Sequence, residues 1–238
     1  MHPGDEPPAT SAASDRPAEG PAPAQYVTFL HGVGGSPLSW EEQVSKLPPQ
    51  LPARAPWLRG MRPGSHEEFS LAAAAADIRL SLKLDGVNEG AIVGHSLGAM
   101  VALQCAIEDP ESVSHLVLVA GQARPSASLL RTQRWLLRFT PARRLAAQGV
   151  SKERLMEALR TGDQFEGAGS LDEIACPTLV VCGTRDTANV PASRYIAESV
   201  PGARLELIEG AGHDVIHEAT AAFNTLLYDF LGYPLDRR

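Results

Sequence analysis

The chain has few of the features that mark a membrane protein or a nucleic-acid-binding protein. Its 238 residues contain no apolar run close to the roughly 18 to 20 residues of a membrane-spanning helix. Basic residues are outnumbered, since 21 Lys and Arg stand against 28 Asp and Glu for a net charge of −7. Nucleic-acid binding requires a basic surface that neutralises phosphates. We therefore expect neither a membrane span nor a nucleic-acid partner.

Cysteine is also scarce, with only three residues in the whole chain. Cys105, Cys176 and Cys182 have neither the paired spacing of a zinc site nor the even count of a disulfide framework. We expect reduced, buried thiols, no metal and no other cofactor. The first residues lack the basic and then apolar layout of a secretory signal, which predicts a cytoplasmic protein.

Composition divides the chain into a tail and one domain. Residues 1–24 are dominated by Pro, Ala, Ser, Gly, Asp and Glu. Too few of their side chains are apolar to offset the entropy lost on ordering, so this segment is predicted to be a disordered tail. Residues 25–238 are long enough to bury one well-formed core.

Apolar runs and helical patterns alternate along the predicted domain. Buried strands are predicted at 26–30, 90–93, 113–119, 178–182 and 204–208, with a weaker edge strand at 51–58. Helices are predicted after a capping Ser36 or Ser39, and at 70–84, 99–107, 191–200 and 215–231. This alternation predicts a doubly wound α/β fold with about six mostly parallel strands, covered by helices on both faces.

The sequence Gly94-His95-Ser96-Leu97-Gly98 lies between a predicted strand and a predicted helix. A serine on such a strand-to-helix turn has an exposed hydroxyl, which is typical of a nucleophile, and the glycines remove side chains that would clash. A chance match to this pentapeptide occurs in about one chain in ten of this length. The position of the motif between a strand and a helix is therefore stronger evidence for a nucleophile than the pentapeptide itself.

An acid and a histidine follow further along the chain, each just after a predicted strand. Asp186 ends Gly183-Thr184-Arg185-Asp186, and His213 ends Gly210-Ala211-Gly212-His213. Both residues therefore lie at the carboxyl edge of the predicted sheet, where ligands bind in open α/β folds. A serine hydroxyl is a weak nucleophile at neutral pH, and an imidazole that takes its proton activates it.

In this order of nucleophile, acid and histidine, the chain resembles the α/β-hydrolase superfamily over roughly residues 26–232, and in particular its serine esterases and lactonases. The resemblance implies that Ser96 is the nucleophile and His213 the general base and acid. Asp186 would orient the imidazole. The backbone N–H groups of Val33 and Leu97 would form the oxyanion hole.

Other residues compete for the roles of base and acid: His31, His95, His217, Asp172 and Asp214. His217 falls inside a predicted helix and is expected to be structural. His31 resembles the family's histidine before the oxyanion glycine and is expected to order that loop. Asp214 adjoins His213 and is too close in sequence to reach that ring in a triad.

Residues from about 122 to 170 interrupt the alternation and resemble the family's helical cap, here a short one. They contain nine basic residues against four acidic ones, a net charge of +5. A solvated helix face with arginine stems over apolar surface explains this charge. The alternative is that the cap steers an anionic substrate or an acyl carrier towards the site.

The resemblance implies a serine hydrolase that cleaves a carboxylic ester, thioester or lactone of a small molecule through an acyl-enzyme intermediate. Because a fold does not fix the reaction, an acyltransferase, a lyase or a cofactor-free haloperoxidase is the alternative. A ligand-binding protein without activity is a third interpretation, which the predicted triad argues against.

Overall fold

The computed structural model describes residues 21–123 and 170–235. Its strands, numbered in chain order, are β1 (Val27–Leu30), β2 (Ala53–Arg54), β3 (Gly90–His95), β4 (Val113–Val119), β5 (Thr178–Gly183) and β6 (Arg204–Ile208). Its α-helices are α1 (Glu41–Ser45), α2 (Leu71–Leu84), α3 (Leu97–Glu108), α4 (Val190–Ser199), α5 (Val215–Glu218) and α6 (Thr220–Phe230). Short 3₁₀ helices lie at Pro37–Trp40, Pro110–Ser112 and Leu171–Glu173.

The six strands form one sheet in the order β2-β1-β3-β4-β5-β6, and every neighbouring pair is parallel. The predicted doubly wound α/β fold of about six strands is therefore confirmed. The predicted edge strand is β2, which is only two residues long because Pro52 and Pro56 close to its ends have no N–H to donate. The predicted cap lies almost entirely outside the described residues, which resume at Ser170.

Successive side chains of the central strands point into two apolar cores, one on each face of the sheet. In β3, Ile92 faces a core that also contains side chains of α2, α3 and α4. Its neighbours Ala91 and Val93 face a second core, which α6 covers with Phe223 and Leu227. The period of two in a strand thus places helices on both faces and leaves the carboxyl edge of the sheet for the site.

Local sequence signals set where several helices begin and end. The Ser70 hydroxyl caps α2 by accepting a hydrogen bond from the N–H of Ala73 at 3.3 Å. Gly86, with a φ of +74°, follows its end. Of the two predicted caps before Trp40, Ser36 is the one that caps, and it forms a capping box with Ser39.

The predicted single helix at 215–231 is wrong, because the chain forms α5 and α6 there. The two helices are separated at Ala219, whose φ of −137° and ψ of 43° are not helical. The Thr220 hydroxyl donates to the carbonyls of Ile216 and His217 at 3.0 and 3.1 Å. Its one hydrogen is shared between these two carbonyls near the end of α5, which otherwise lack a helical partner beyond the break.

Packing of the chain begins within the predicted tail. Ala24 is 1% exposed, its N–H donates to the carbonyl of Leu231 at 3.0 Å, and its carbonyl accepts from the Tyr233 hydroxyl at 2.9 Å. The residues before Pro21 lie outside the described part of the chain. In that described part, no helix is long and apolar enough to cross a bilayer.

Candidate active site

Ser96 lies on the sharp turn between β3 and α3. Its φ of 54° and ψ of −110° are unusual for a residue with a side chain, and such a conformation costs about 1 to 3 kcal/mol. The turn is held by the N–H of Ser96, which donates to the carbonyl of Val119 in β4 at 2.8 Å. The hydroxyl is thereby presented at the amino end of a helix and at the carboxyl edge of the sheet.

Close backbone contacts explain both glycines of the motif. A Cβ added to Gly94 would overlap the backbone of Gly98, and one added to Gly98 would overlap the carbonyl of Leu30 in β1. Both neighbours are backbone atoms, which cannot rotate away. The sequence around Ser96 therefore folds into this turn only because neither flanking residue has a side chain.

The structure brings Ser96, His213 and Asp186 together. The Ser96 Oγ lies 3.0 Å from Nε2 of His213, and Nδ1 of the same ring lies 2.7 Å from Oδ2 of Asp186. Since a carboxylate only accepts, His213 donates from Nδ1 and leaves Nε2 free to accept the serine proton. The geometry is that of a nucleophile, a base and an orienting acid in one hydrogen-bonded line.

The loops that carry Asp186 and His213 are hydrogen-bonded to each other. The N–H of Arg185 donates to the carbonyl of Ala211 at 2.9 Å, and the N–H of Gly210 donates to the Thr184 hydroxyl at 2.9 Å. A Cβ on Gly183 would overlap the carbonyl of Ala211, so the two loops meet at backbone distance. These contacts fix the separation of Asp186 and His213.

Asp186 is buried but stays ionised. Burial by itself raises the pKa of a carboxyl group, but hydrogen bonds from His213 and Asn189 outweigh it and lower the pKa of Asp186 below its ordinary value. The side chain is 8% exposed. Asp186 therefore carries a negative charge next to the imidazole, which stabilises His213 when it accepts a proton.

The turn after β1 lies directly against the serine. A Cβ on Gly32 would be 3.2 Å from the Cβ of Ser96, and the N–H of Gly35 donates to the carbonyl of Gly32 at 3.1 Å. Val33 lies inside this turn, and Leu97 is the first residue of α3. Within residues 21–123 and 170–235, the N–H groups of Val33 and Leu97 have no acceptor, as donors to a substrate oxyanion require.

His31 holds this turn in place. Its Nε2 accepts from the N–H of Leu58 at 3.3 Å, so Nδ1 carries the proton and donates to the carbonyl of Gly32 at 2.9 Å. The ring is fully buried, and burial lowers its pKa, which keeps it neutral. Trp57 packs edge-on against it, with ring centroids 5.3 Å apart. His31 thus orders the loop and lies outside the hydrogen-bonded line of the site.

His95 packs against His213 and bonds to its backbone. Its Nε2 donates to the backbone carbonyl of His213 at 3.0 Å, and the two ring centroids are 5.2 Å apart. Burial lowers the pKa of His95 to about 4, so the ring is neutral at ordinary pH. The sequence presented His95 only as a competing base, and its contact with a residue 118 positions away has no local signal.

Two further polar residues of the site have no sequence motif. Asn189 donates from Nδ2 to both carboxylate oxygens of Asp186, and Gln122 donates to Oδ1 of Asn189 at 2.7 Å. Asn189 follows Asp186 by three residues at the start of α4, where asparagine is an ordinary helix cap. Gln122 follows β4, so its proximity depends on the order of strands in the sheet.

The remaining candidates lie outside the hydrogen-bonded line. Asp214 and His217 pair with each other at 2.8 Å, and both side chains are half exposed. Asp172 is in the 3₁₀ helix before β5, whereas Asp186 follows that strand. In the ranges that the structure covers, no three His, Cys, Asp or Glu side chains are grouped so that they could hold a metal ion. Cys105 and Cys182 are buried free thiols, whereas Cys176 is only half-buried.

Comparison with known sequences identifies relatives over most of the chain. Residues 29–226 match the model of the alpha/beta hydrolase family. A protein of Klebsiella pneumoniae (strain 342), named "Putative carbamate hydrolase RutD", is 30% identical over 250 residues, which cover 89% of this chain and 94% of that protein.

Solved structures share the same fold. The enol-lactonase from Burkholderia xenovorans LB400 superposes with a TM-score of 0.74 at 19% identity, covering 89% of this chain and 92% of the lactonase. A structure from a study of carboxylesterases of Nitrososphaera gargenis gives a TM-score of 0.79 at 18% identity, covering 90% and 92% of the two chains. At such low identity the likeness concerns the fold alone.

Proposed function

This chain belongs to the alpha/beta hydrolase family, and from that premise we propose that it is a serine hydrolase that cleaves a carboxylic ester, thioester or lactone of a small molecule. The observation that carries the proposal is the hydrogen-bonded line from Ser96 through His213 to Asp186, with contacts of 3.0 and 2.7 Å. The family supports hydrolase activity, and we propose that these three residues carry it out.

The reaction would proceed in two halves. Ser96 Oγ attacks the substrate carbonyl carbon while its proton moves to Nε2 of His213, and the carbonyl oxygen becomes an oxyanion. Collapse of this intermediate releases the alcohol or thiol, which takes the proton from His213, and leaves an acyl-enzyme. Water then attacks the acyl carbon, His213 again takes and returns the proton, and the carboxylic acid departs.

The N–H groups of Val33 and Leu97 are the proposed donors to the oxyanion. They lie on either side of Ser96, one in the turn after β1 and one at the start of α3. Each such donor is worth about 3 kcal/mol of transition-state stabilisation. Because the donors are backbone groups, glycines around them are needed to admit the substrate carbonyl.

The names of the relatives add one substrate class to those that the sequence predicts. The Klebsiella pneumoniae relative is named for carbamate hydrolysis and covers 89% of this chain, so we propose carbamates as the second candidate substrate class. Attack by Ser96 on a carbamate carbonyl uses the same groups. Comparing kcat/KM for a nitrophenyl ester and a nitrophenyl carbamate of equal size separates the two, and the larger value identifies the class.

Acyl transfer, lyase and haloperoxidase chemistry stay alternatives on the same fold. Adding a competing alcohol separates transfer from hydrolysis, because an acyltransferase forms the new ester in preference to the acid. The proposed location is the cytoplasm, and an anionic substrate or acyl carrier at the basic segment 122–170 stays a prediction from the sequence.

Labelling and turnover of the serine test the proposal. A fluorophosphonate probe is expected to modify Ser96, identified by peptide mass spectrometry. Ser96→Ala is expected to lower kcat on short-chain nitrophenyl esters by about 10⁶-fold, and Asp186→Asn by about 10⁴-fold. The control is Ser114→Ala, which lies near the amino end of β4 and therefore away from Ser96, and it is expected to keep wild-type turnover. Wild-type turnover by Ser96→Ala would overturn the proposal.

A further inference from the structure

Asn189 occupies a helix-capping position without capping the helix. It is the residue before α4, and asparagine there ordinarily accepts a hydrogen bond from an N–H of the first turn. Its side chain makes no such bond. It is buried and turned towards Asp186 instead. The first turn of α4 therefore has no side-chain cap, and the Asn189 amide bonds to Asp186 instead.

The Asn189 amide contacts both carboxylate oxygens of Asp186. Nδ2 lies 2.9 Å from Oδ1 and 2.7 Å from Oδ2. His213 contacts only Oδ2, at 2.7 Å. Nδ2 also lies 3.1 Å from Nδ1 of His213, but that nitrogen is already a donor to Asp186, so the approach reflects shared contact with the carboxylate. The carboxylate thus accepts hydrogen bonds from two side chains, and only Asn189 reaches both of its oxygens.

The orientation of an aspartate carboxylate has to be fixed by its neighbours, because rotation about its χ2 torsion costs little energy. The χ2 torsion of aspartate joins an sp³ and an sp² carbon and has a broad, roughly two-fold profile. Burial in one loop does not fix the direction of Oδ2. A displacement of about 1 Å in a catalytic group can cost about 10²-fold in rate. Donors on both carboxylate oxygens, Nδ2 of Asn189 on Oδ1 and Nδ1 of His213 on Oδ2, restrict this freedom.

Gln122 sets which end of the Asn189 amide faces Asp186. The carboxylate can only accept, so Asn189 must present Nδ2 to it and Oδ1 to the other side. There, Nε2 of Gln122 donates to Oδ1 at 2.7 Å. Gln122 follows β4 and Asn189 follows β5, so this bond also ties together the ends of two neighbouring strands.

We propose that Asn189 is a positioning residue that fixes the carboxylate of Asp186 for His213, and that Gln122 fixes the sense of the Asn189 amide. The inference rests on the proposed serine hydrolase function, since it concerns the same Asp186–His213 pair. Asn189 touches no reacting atom in this scheme and acts through Asp186.

The chain offers a matched control for the test. Gln43 and Asn224 form a second buried glutamine–asparagine pair, in which Nε2 of Gln43 donates to Oδ1 of Asn224 at 2.8 Å. This pair lies between α1 and α6, apart from the site. Asn189→Leu and Asn224→Leu remove the same amide from buried surroundings. A merely structural role would make the two variants behave alike.

Asn189→Leu is expected to lower kcat on a nitrophenyl ester by about 10²-fold with KM unchanged, because the fault lies in the base and not in binding. The low-field proton resonance of His213 Nδ1–H is expected to shift or broaden. Asn224→Leu is expected to lower stability while keeping both kcat and the resonance. A loss of kcat in Asn224→Leu equal to that in Asn189→Leu would overturn the proposal.

Gln122→Glu tests whether Gln122 determines which end of the Asn189 amide faces Asp186. An ionised carboxylate beside Oδ1 of Asn189 would turn the amide around and aim its oxygen at Asp186, so kcat is expected to fall as far as in Asn189→Leu. In Gln122→Ala, only Asp186 orients the Asn189 amide, so kcat is expected to fall less than in Gln122→Glu. Equal kcat in these two Gln122 variants would overturn the role of Gln122.

A parallel assay of Ser96→Ala separates the two proposals. If Ser96→Ala keeps wild-type turnover, the serine hydrolase function fails, whatever the Asn189 variants do. If Ser96→Ala is inactive while Asn189→Leu keeps wild-type kcat and the His213 resonance, the positioning role alone is wrong.

Discussion

Burial of His95 makes the stability of the protein sensitive to pH. The folded state lowers the pKa of this ring to about 4, whereas a free imidazole titrates near 6.5. Between these values the unfolded chain binds more protons than the folded chain. The free energy of unfolding contributed by His95 therefore falls as the pH falls, by about 1.4 kcal/mol per unit and about 3 kcal/mol in all.

His95→Gln is expected to remove this part of the pH dependence. Glutamine can still donate to the carbonyl of His213, but it does not titrate. Urea unfolding between pH 6.5 and 4 is expected to show a shallower slope of stability against pH in this variant than in the wild type. Part of the slope of stability against pH is expected to remain, because burial also lowers the pKa of His31. His66→Gln, at an exposed position, is the control, and a wild-type slope in His95→Gln would contradict the assignment.

Among the elements, the turn between β3 and α3 depends most directly on backbone contact. Gly98 lies in α3, where alanine has a higher helix propensity by about 1 kcal/mol. Its Cβ, however, would overlap the carbonyl of Leu30, which belongs to the neighbouring β1. Overpacking of this kind costs about 3 kcal/mol or more. The clash therefore outweighs the propensity.

Gly98→Ala is expected to lower the free energy of unfolding by about 2 kcal/mol net and to reduce labelling of Ser96 by a fluorophosphonate. Gly90→Ala, at the other end of β3, is the matched control. The nearest atom to its new Cβ is the end of the Leu82 side chain at 3.3 Å, which can move. Chemical denaturation measures both variants. Equal stability of the two would mean that the turn tolerates a side chain.

Prediction from the sequence succeeded for elements and failed where distant parts of the chain meet. Alternating apolar runs and the Ser70 cap are local signals, and they gave the strands and α2. The break at Ala219 depends on a threonine hydroxyl that bonds back to α5, which helical periodicity does not reveal.

The same limit applies to the candidate site. Ser96, Asp186 and His213 each follow a strand, so a parallel sheet was enough to predict that they meet at one edge. Asn189 resembles an ordinary helix cap in the sequence, and Gln122 has no motif at all. The contact between them depends on the adjacency of β4 and β5, which only the folded sheet supplies.

For the molecule as a whole, Ala24 is the first of the described residues that is buried. Removing residues 1–20 is expected to leave the free energy of unfolding and the rate of ester hydrolysis unchanged, because they contain almost no bulky apolar side chain that could add to the core. Removing residues 1–24 is expected to lower stability, since the bonds of Ala24 to Leu231 and Tyr233 are lost. Thermal unfolding of both truncated chains measures the difference. Equal melting temperatures would contradict the anchoring role of Ala24.

The order of the strands along the chain also has a consequence for protein synthesis. β1, β3 and β4 are adjacent in the sheet and complete by Val119, so a growing chain can build the serine turn early. Asp186 and His213 follow β5 and β6, more than sixty residues later. In the proposed mechanism, a ribosome-bound chain would therefore display Ser96 without its proton acceptor, and hydrolysis would begin only after residues beyond His213 have emerged.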